Sequence, residues 1–104
     1  MIHDEIRSLL DAPPSGEEAP SIDDIEDTLT TGYARALALE AEHRRLERKI
    51  SEIAAKLGQA STERRHSELA SLGQQLSVAD GDLTHLRELL SSLRTRAAEV
   101  RAGS

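Results

Sequence analysis

The sequence has no cysteine, phenylalanine or tryptophan, and Tyr33 is its one large aromatic residue. Without cysteine there is no disulfide framework, no thiolate nucleophile and no thiolate metal site. Large aromatic rings dominate the burial in most compact cores, so their near-absence argues against a thick globular core. No run approaches the roughly 20 apolar residues of a membrane span. The first ten residues carry Asp4 and Glu5 inside their apolar pattern, unlike a secretory leader. A soluble, cytoplasmic protein without membrane contact is expected. Proline and glycine are also sparse, at 3 and 6 of 104 residues, which leaves long stretches free of helix breakers.

What fills the chain is Leu, Ala, Ile, Arg and Glu, mostly good helix formers. Plentiful Ala and Arg with little Lys suggests a GC-rich bacterial genome. Charged residues make up 31%, which suits long solvated helices. The net charge of −6 conceals a gradient. Residues 1–42 carry eleven acids against Arg7 and Arg35, a net −9. Residues 43–66 carry seven bases against three glutamates, a net +4, and the remainder is −1.

Ile2, Ile6, Leu9 and Leu10 stand at helical spacing, so residues 1–12 form a short amphipathic helix, too short to be stable alone. Residues 13–20, opening on Pro13-Pro14 and closing on Pro20, form a linker. Ser21 is a helix N-cap, with Asp23 and Asp24 in the first turn complementing the helix dipole. A hairpin is expected over 21–104, with helices at about 22–57 and 62–101. In the first helix the heptad a positions are Ile22, Leu29, Ala36, His43, Ile50 and Leu57, and the d positions Ile25, Gly32, Leu39, Leu46 and Ile53. Gly58 sits where a helix-ending glycine belongs, Gly58 to Ser61 makes the turn, and Ser61 or Thr62 caps the next helix. There the a positions are Leu69, Leu76, Leu83, Leu90 and Ala97, and the d positions Leu72, Ala79, Leu86, Leu93 and Val100. Each helix would be about 55 Å long.

The pattern predicts an all-α fold, an antiparallel two-helix coiled-coil hairpin with a short N-terminal helix. Antiparallel pairing matches a residues with d residues. Partners whose numbers total 122 place Gly32 against Leu90, His43 against Ala79, Ala36 against Leu86 and Ile25 against Ala97, so the small side chains of the seam meet larger ones. A single long helix dimerising in parallel fits less well. Continuing the heptad from Leu57 puts Ala60, Arg64, Ser67 and Ser71 on the seam, and Gly58 lowers helix propensity by about 1 kcal/mol relative to Ala.

One seam buries little area per residue, so apolar residues outside it are informative. Tyr33, Leu37, Ala38 and Ala41 with Leu89 lie near the open end. The N-terminal helix can fold back there, or the patch Tyr33, Leu37, Ala41 and Leu89 can join two hairpins into a four-helix bundle, which is the favoured reading. Arg44, Arg45, Arg48, Lys49, Arg64 and Arg65 form a basic tip that can meet phosphates or an acidic partner. No aromatic residues are interleaved for base stacking, and i,i+4 pairs such as Glu40–Arg44, Arg48–Glu52 and Glu52–Lys56 would make it an ordinary solvated face. Acidic and basic segments can also pair between antiparallel copies. His43 at an a position is a register device and a source of pH-sensitive association, since imidazoles titrate near neutral pH. His3, His43, His66 and His85 have no spacing that gathers them, so no metal site and no cofactor are expected. No glycine-rich phosphate loop, serine elbow or helical metal motif occurs.

The hairpin resembles in architecture the coiled-coil hairpins of bacterial transcript-cleavage factors, which carry acidic tip residues around a catalytic metal. Between Lys56 and Arg65 the sole acid is Glu63, so that activity is not implied. The expected role is a non-enzymatic structural or adaptor protein acting through a protein partner or a homodimer. Nucleic-acid binding at the basic tip is the runner-up.

Overall fold

The computed structural model describes residues 1–58 and 62–103. They form three helices, α1 (Ile2–Asp11), α2 (Ile22–Leu57) and α3 (Glu63–Ala102), with no strand among the described residues. α2 and α3 pack together as in a helical hairpin. By contacts the chain divides into two units, Met1–Leu37 with the described residues from Thr84 onward, and Ala38–Leu83.

In the first unit the start of α2 is fixed locally. Ser21 Oγ accepts a hydrogen bond from Asp24 N at 3.1 Å, and Ser21 O accepts from Ile25 N at 3.2 Å. One orphan donor of the first turn is thereby satisfied. Ile25, Ala36, Leu86, Leu90, Leu93 and Ala97 are buried, with Ile25, Leu86 and Leu93 at 0% exposure. All are a or d residues, since only that stripe of each helix faces its neighbour.

Gly32 shows why this part of the seam admits a third helix. A Cβ there would lie 2.5 Å from Leu90 Cδ2, 3.5 Å from Leu90 Cγ and 3.6 Å from Ile6 Cδ1. Leu90 thus occupies the space a side chain on Gly32 would need, and Ile6 of α1, itself at 0% exposure, closes over the pair. α1 is held at its far end as well. The Arg96 guanidinium on α3 donates from Nη1 to Ala12 O and from Nη2 to Leu10 O, both at 3.1 Å. Those carbonyls are among the orphan acceptors of a helix C-terminus, and a planar fork suits two of them at once. Ala12 is extended at φ −70, ψ 155, as a residue before proline must be. In the linker that follows, Gly16 has φ +96, and its carbonyl accepts from Ala19 N at 3.2 Å.

In the second unit Leu39, Leu46, Ala79 and Leu83 are buried. Nearer the tip the coverage thins: Ile50, Ile53, Leu57, Leu69, Leu72 and Leu76 are all half-buried. α2 ends without the left-handed glycine expected at Gly58, since among the described residues Gly16 alone has positive φ. Gly58 N donates to Ala54 O at 3.3 Å, and Arg65 Nη1 donates to Lys56 O at 3.0 Å. A side-chain donor on α3 therefore serves one of the terminal carbonyls that a left-handed C-terminal turn would otherwise satisfy. Thr62 is the cap of α3, its Oγ1 accepting from Arg65 N at 3.2 Å. The other candidate cap, Ser61, and most of the expected turn lie outside the described residues.

Gly32→Ala gains about 1 kcal/mol of helix propensity against an overpacking cost of about 1–3 kcal/mol, so it leaves stability lowered by at most about 2 kcal/mol. Gly32→Leu cannot be housed beside Leu90 and Ile6. It should lower the thermal midpoint well beyond the alanine variant in a calorimetric comparison. Removing the fork with Arg96→Ala forfeits hydrogen bonds from a charged donor, about 1.5–3 kcal/mol. Amide exchange in α1 should then accelerate at least roughly tenfold, while amides of residues 38–57 are unchanged.

Candidate functional site

Heptad position decides what each candidate residue can reach. In α2, positions b, c and f point away from the seam, and g lies at its border. Arg44 (b), Arg45 (c) and Arg48 (f) are exposed on the outer side, whereas Lys49 (g) sits at the seam edge. Lys49 and Lys56 flank an open groove floored by Ile53 and Leu72 and bordered by Glu52 and Glu68. The expected basic tip is therefore two arrangements, an outward arginine group and a lysine-edged groove with acids in it.

The two α3 arginines are engaged with the chain itself. Arg64 Nε lies 3.4 Å from Glu68 Oε1, and Arg65 is half-buried with its guanidinium on Lys56 O. Arg44, Arg45, Arg48 and Lys49 carry no ion pair within the described chain. The expected Glu40–Arg44, Arg48–Glu52 and Glu52–Lys56 ladder is not formed. Exposed i,i+4 pairs contribute only about 0.3–0.5 kcal/mol, too little to hold four long side chains in one geometry.

His43 is intermediate in exposure, with Nδ1 2.6 Å from Glu47 Oε1 on α2 and Nε2 3.5 Å from Asp80 Oδ1 on α3. Its neighbour in the expected register, Ala79, is small and buried, which leaves room for the ring to lean toward Asp80 at the seam edge. The ring of this a-position residue thus lies between acids of two helices, with Glu47 the closer.

Of the open-end patch, Leu89 is half-buried, Ala41 is exposed, and Tyr33 and Leu37 remain 41% and 64% exposed. α1 has folded back onto the first unit, yet it leaves Tyr33 and Leu37 open to solvent. One reading of the sequence is corrected here. The histidines were expected to stay apart, but His3 and His85 stack with centroids 5.3 Å apart and planes at 10°. Arg7 Nη2 also approaches His85 Nε2 at 2.6 Å. The guanidinium has only donors, so Nε2 is the acceptor. The α2–α3 register carries no information about α1, which is why this contact could not be read from it.

No protein-family model, curated protein or solved structure matches this chain.

Its chemistry must therefore be weighed from its own residues. No group of three or more metal-ligating side chains gathers among the described residues, His3 and His85 included. No helix among them is long and apolar enough to cross a membrane. Arg96, absent from the sequence-derived candidates, emerges as the residue that fixes α1. Its signal was weak, one more cation at a g position near the end of α3.

His43→Leu replaces a polar seam residue by an aliphatic one opposite Ala79. It should raise the thermal midpoint, because buried leucine contributes about 1.5–3 kcal/mol over an exposed one. Cooperative unfolding by circular dichroism would register the change. A lowered midpoint would show that the Glu47 and Asp80 contacts outweigh the packing gain.

Proposed function

We propose that this chain is a non-enzymatic structural or adaptor protein, an antiparallel coiled-coil hairpin whose outer helix faces bind another protein. The observation that carries this reading is the state of the outer side of α2 once α1 has docked. Tyr33 and Leu37 are left exposed, although a helix free of partners would place polar residues there. In the second unit, Arg44, Arg45 and Arg48 are exposed with no ion pair within the described chain. Exposed aromatic side chains and arginines are each enriched in protein-binding surfaces. The aliphatic seam serves to hold the two helices together.

The same four cations, Arg44, Arg45, Arg48 and Lys49, support a second reading, docking on nucleic-acid phosphates. The −9 charge of residues 1–42 opposes it, and no aromatic residue lies among the four for base stacking.

A photo-crosslinking residue at position 37, with a second at position 78 for comparison, tests the proposal in cells. Position 37 should yield a discrete protein adduct that Tyr33→Glu abolishes. Purified protein titrated with a duplex oligonucleotide should show no binding at physiological salt. Binding whose affinity falls steeply with salt, and which is lost in R44E/R45E/R48E, would overturn the protein-binding reading in favour of nucleic acid.

A further inference from the structure

α1 is fastened within the first unit at both ends, and the two fastenings differ in kind. At the Ala12 end the Arg96 guanidinium donates to backbone carbonyls, a contact indifferent to pH because a guanidinium stays charged. At the other end the contact runs through an imidazole. Arg7 Nη2 donates to His85 Nε2 at 2.6 Å, and the His3 ring stacks on that of His85 with centroids 5.3 Å apart. All of these residues belong to the first unit. A guanidinium has no lone pair to accept with, so this hydrogen bond exists only while His85 Nε2 is unprotonated.

We propose that this end of α1 is a pH-sensitive latch. Protonation of His85 in mildly acidic conditions releases α1 and uncovers the layer at Gly32 and Leu90 that Ile6 closes. The latch stands whether or not the outer helix faces bind a protein. A protonated imidazole is a donor on both nitrogens, which removes the acceptor for Arg7 and leaves two cations at hydrogen-bond distance. Protonation of His3, stacked beside them, adds a third. The released state is free of these contacts and therefore binds protons more readily than the docked one. Docking is then strongest above the range in which imidazoles titrate and is lost as pH falls through it. Ile6 is the one buried side chain of α1, a helix of ten residues, so the helix has little else to hold it and is too short to persist when free.

The charges around the ring decide the sign of the effect. Along α3, Asp82 and Glu88 stand three residues to either side of His85, and both are exposed. They attract its proton, but they share its helix and accompany it whether α1 is docked or free. From α2 the first unit supplies Arg35, its one charged residue at a g position, which is a further cation. α1 brings the Met1 amino group, His3, Asp4, Glu5 and Arg7. Glu5, two residues from His3, lies on another side of that helix. Asp4 opposes the effect, but it is exposed and already shared with Arg7, Oδ1 lying 3.6 Å from Nη1. Docking therefore sets a guanidinium in direct contact and an imidazole in a stack against one carboxylate at the rim.

Amide exchange and ring-nitrogen NMR on the full chain test the latch between about pH 7.5 and about pH 5.5, a window in which Asp and Glu stay ionised. Protection factors, corrected for the intrinsic pH dependence of exchange, should fall at least roughly tenfold across α1, the worth of a hydrogen bond from a charged donor. Amides of residues 39–50, in the second unit, should keep theirs. His85→Gln supplies a neutral acceptor at every pH, so its α1 should stay protected throughout the window. Nitrogen-15 shifts of the His85 ring should show Nε2 unprotonated while α1 is docked, with protonation and release coinciding. Protection of α1 that does not change across the window would overturn the proposal. A fall of equal size in His85→Gln would do so as well, since it places the titration on another group. If His85→Gln loses α1 protection at both ends of the window, the ring spectrum of the unaltered protein decides. Protonation of His85 with α1 still protected overturns the latch, and coincidence of the two events supports it.

Discussion

Everything in this protein depends on the aliphatic stripe at positions a and d. With no Phe or Trp to build a broad core, burial comes from Leu, Ile and Ala side chains in single file, and each helix stays in place only while its neighbour covers that stripe. In the first unit the coverage is thorough, with Ile25, Leu86 and Leu93 at 0% exposure. The reason is the third helix. Ile6 closes the layer at Gly32 and Leu90, where the missing side chain on one helix makes space for the large one on the other. In the second unit no third helix covers the pair among the described residues, and the seam residues beyond Leu46 toward the tip are only half-buried. Apolar area removed from water is the main stabilising term, so the two units differ in local stability, the first holding the larger share.

Polar side chains complete the helix ends where the backbone cannot. Ser21 and Thr62 serve the first turns of α2 and α3, Arg65 serves the last turn of α2, and Arg96 serves the last turn of α1. Two of these four are arginines acting across helices. That use removes Arg65 from the basic tip and gives α1, at ten residues, an anchor it lacks the length to supply for itself. Of the six basic-tip residues, Arg44, Arg45 and Arg48 are left exposed on the outer face of α2.

Helical content and the α2–α3 partnership were legible because period and caps are local properties of sequence. Ser21 before Ile22, the a/d pattern of aliphatic residues, and Gly32 falling opposite Leu90 could all be read from spacing alone. The less legible features involve α1 or side chains that reach between helices. The stacking of His3 on His85 depends on the azimuth at which α1 docks, which no periodicity encodes. The fork of Arg96 and the single contact of Arg65 with Lys56 O depend on where a carbonyl is left unpaired. The candidate basic tip was legible as a composition but not as a site. Its six members divide between an outer face, a groove edge and two residues committed to the chain, because heptad position decides direction and sequence clustering does not.

The central claim is that α2 and α3 lie antiparallel with paired residue numbers totalling 122, which electron–electron spin distances can test directly. The chain has no cysteine, so labels can be placed in pairs without background. Ser51 with Ser71 and Ser51 with Val78 are both exposed pairs within the second unit, and they differ by one heptad, about 10 Å along a helix. The account predicts one narrow distribution for each pair, with Ser51–Ser71 the shorter. A reversed order would mean that the helices have slipped by a heptad. Distances that vanish on dilution with unlabelled protein would mean that the pairing is between chains, and either result would contradict the account.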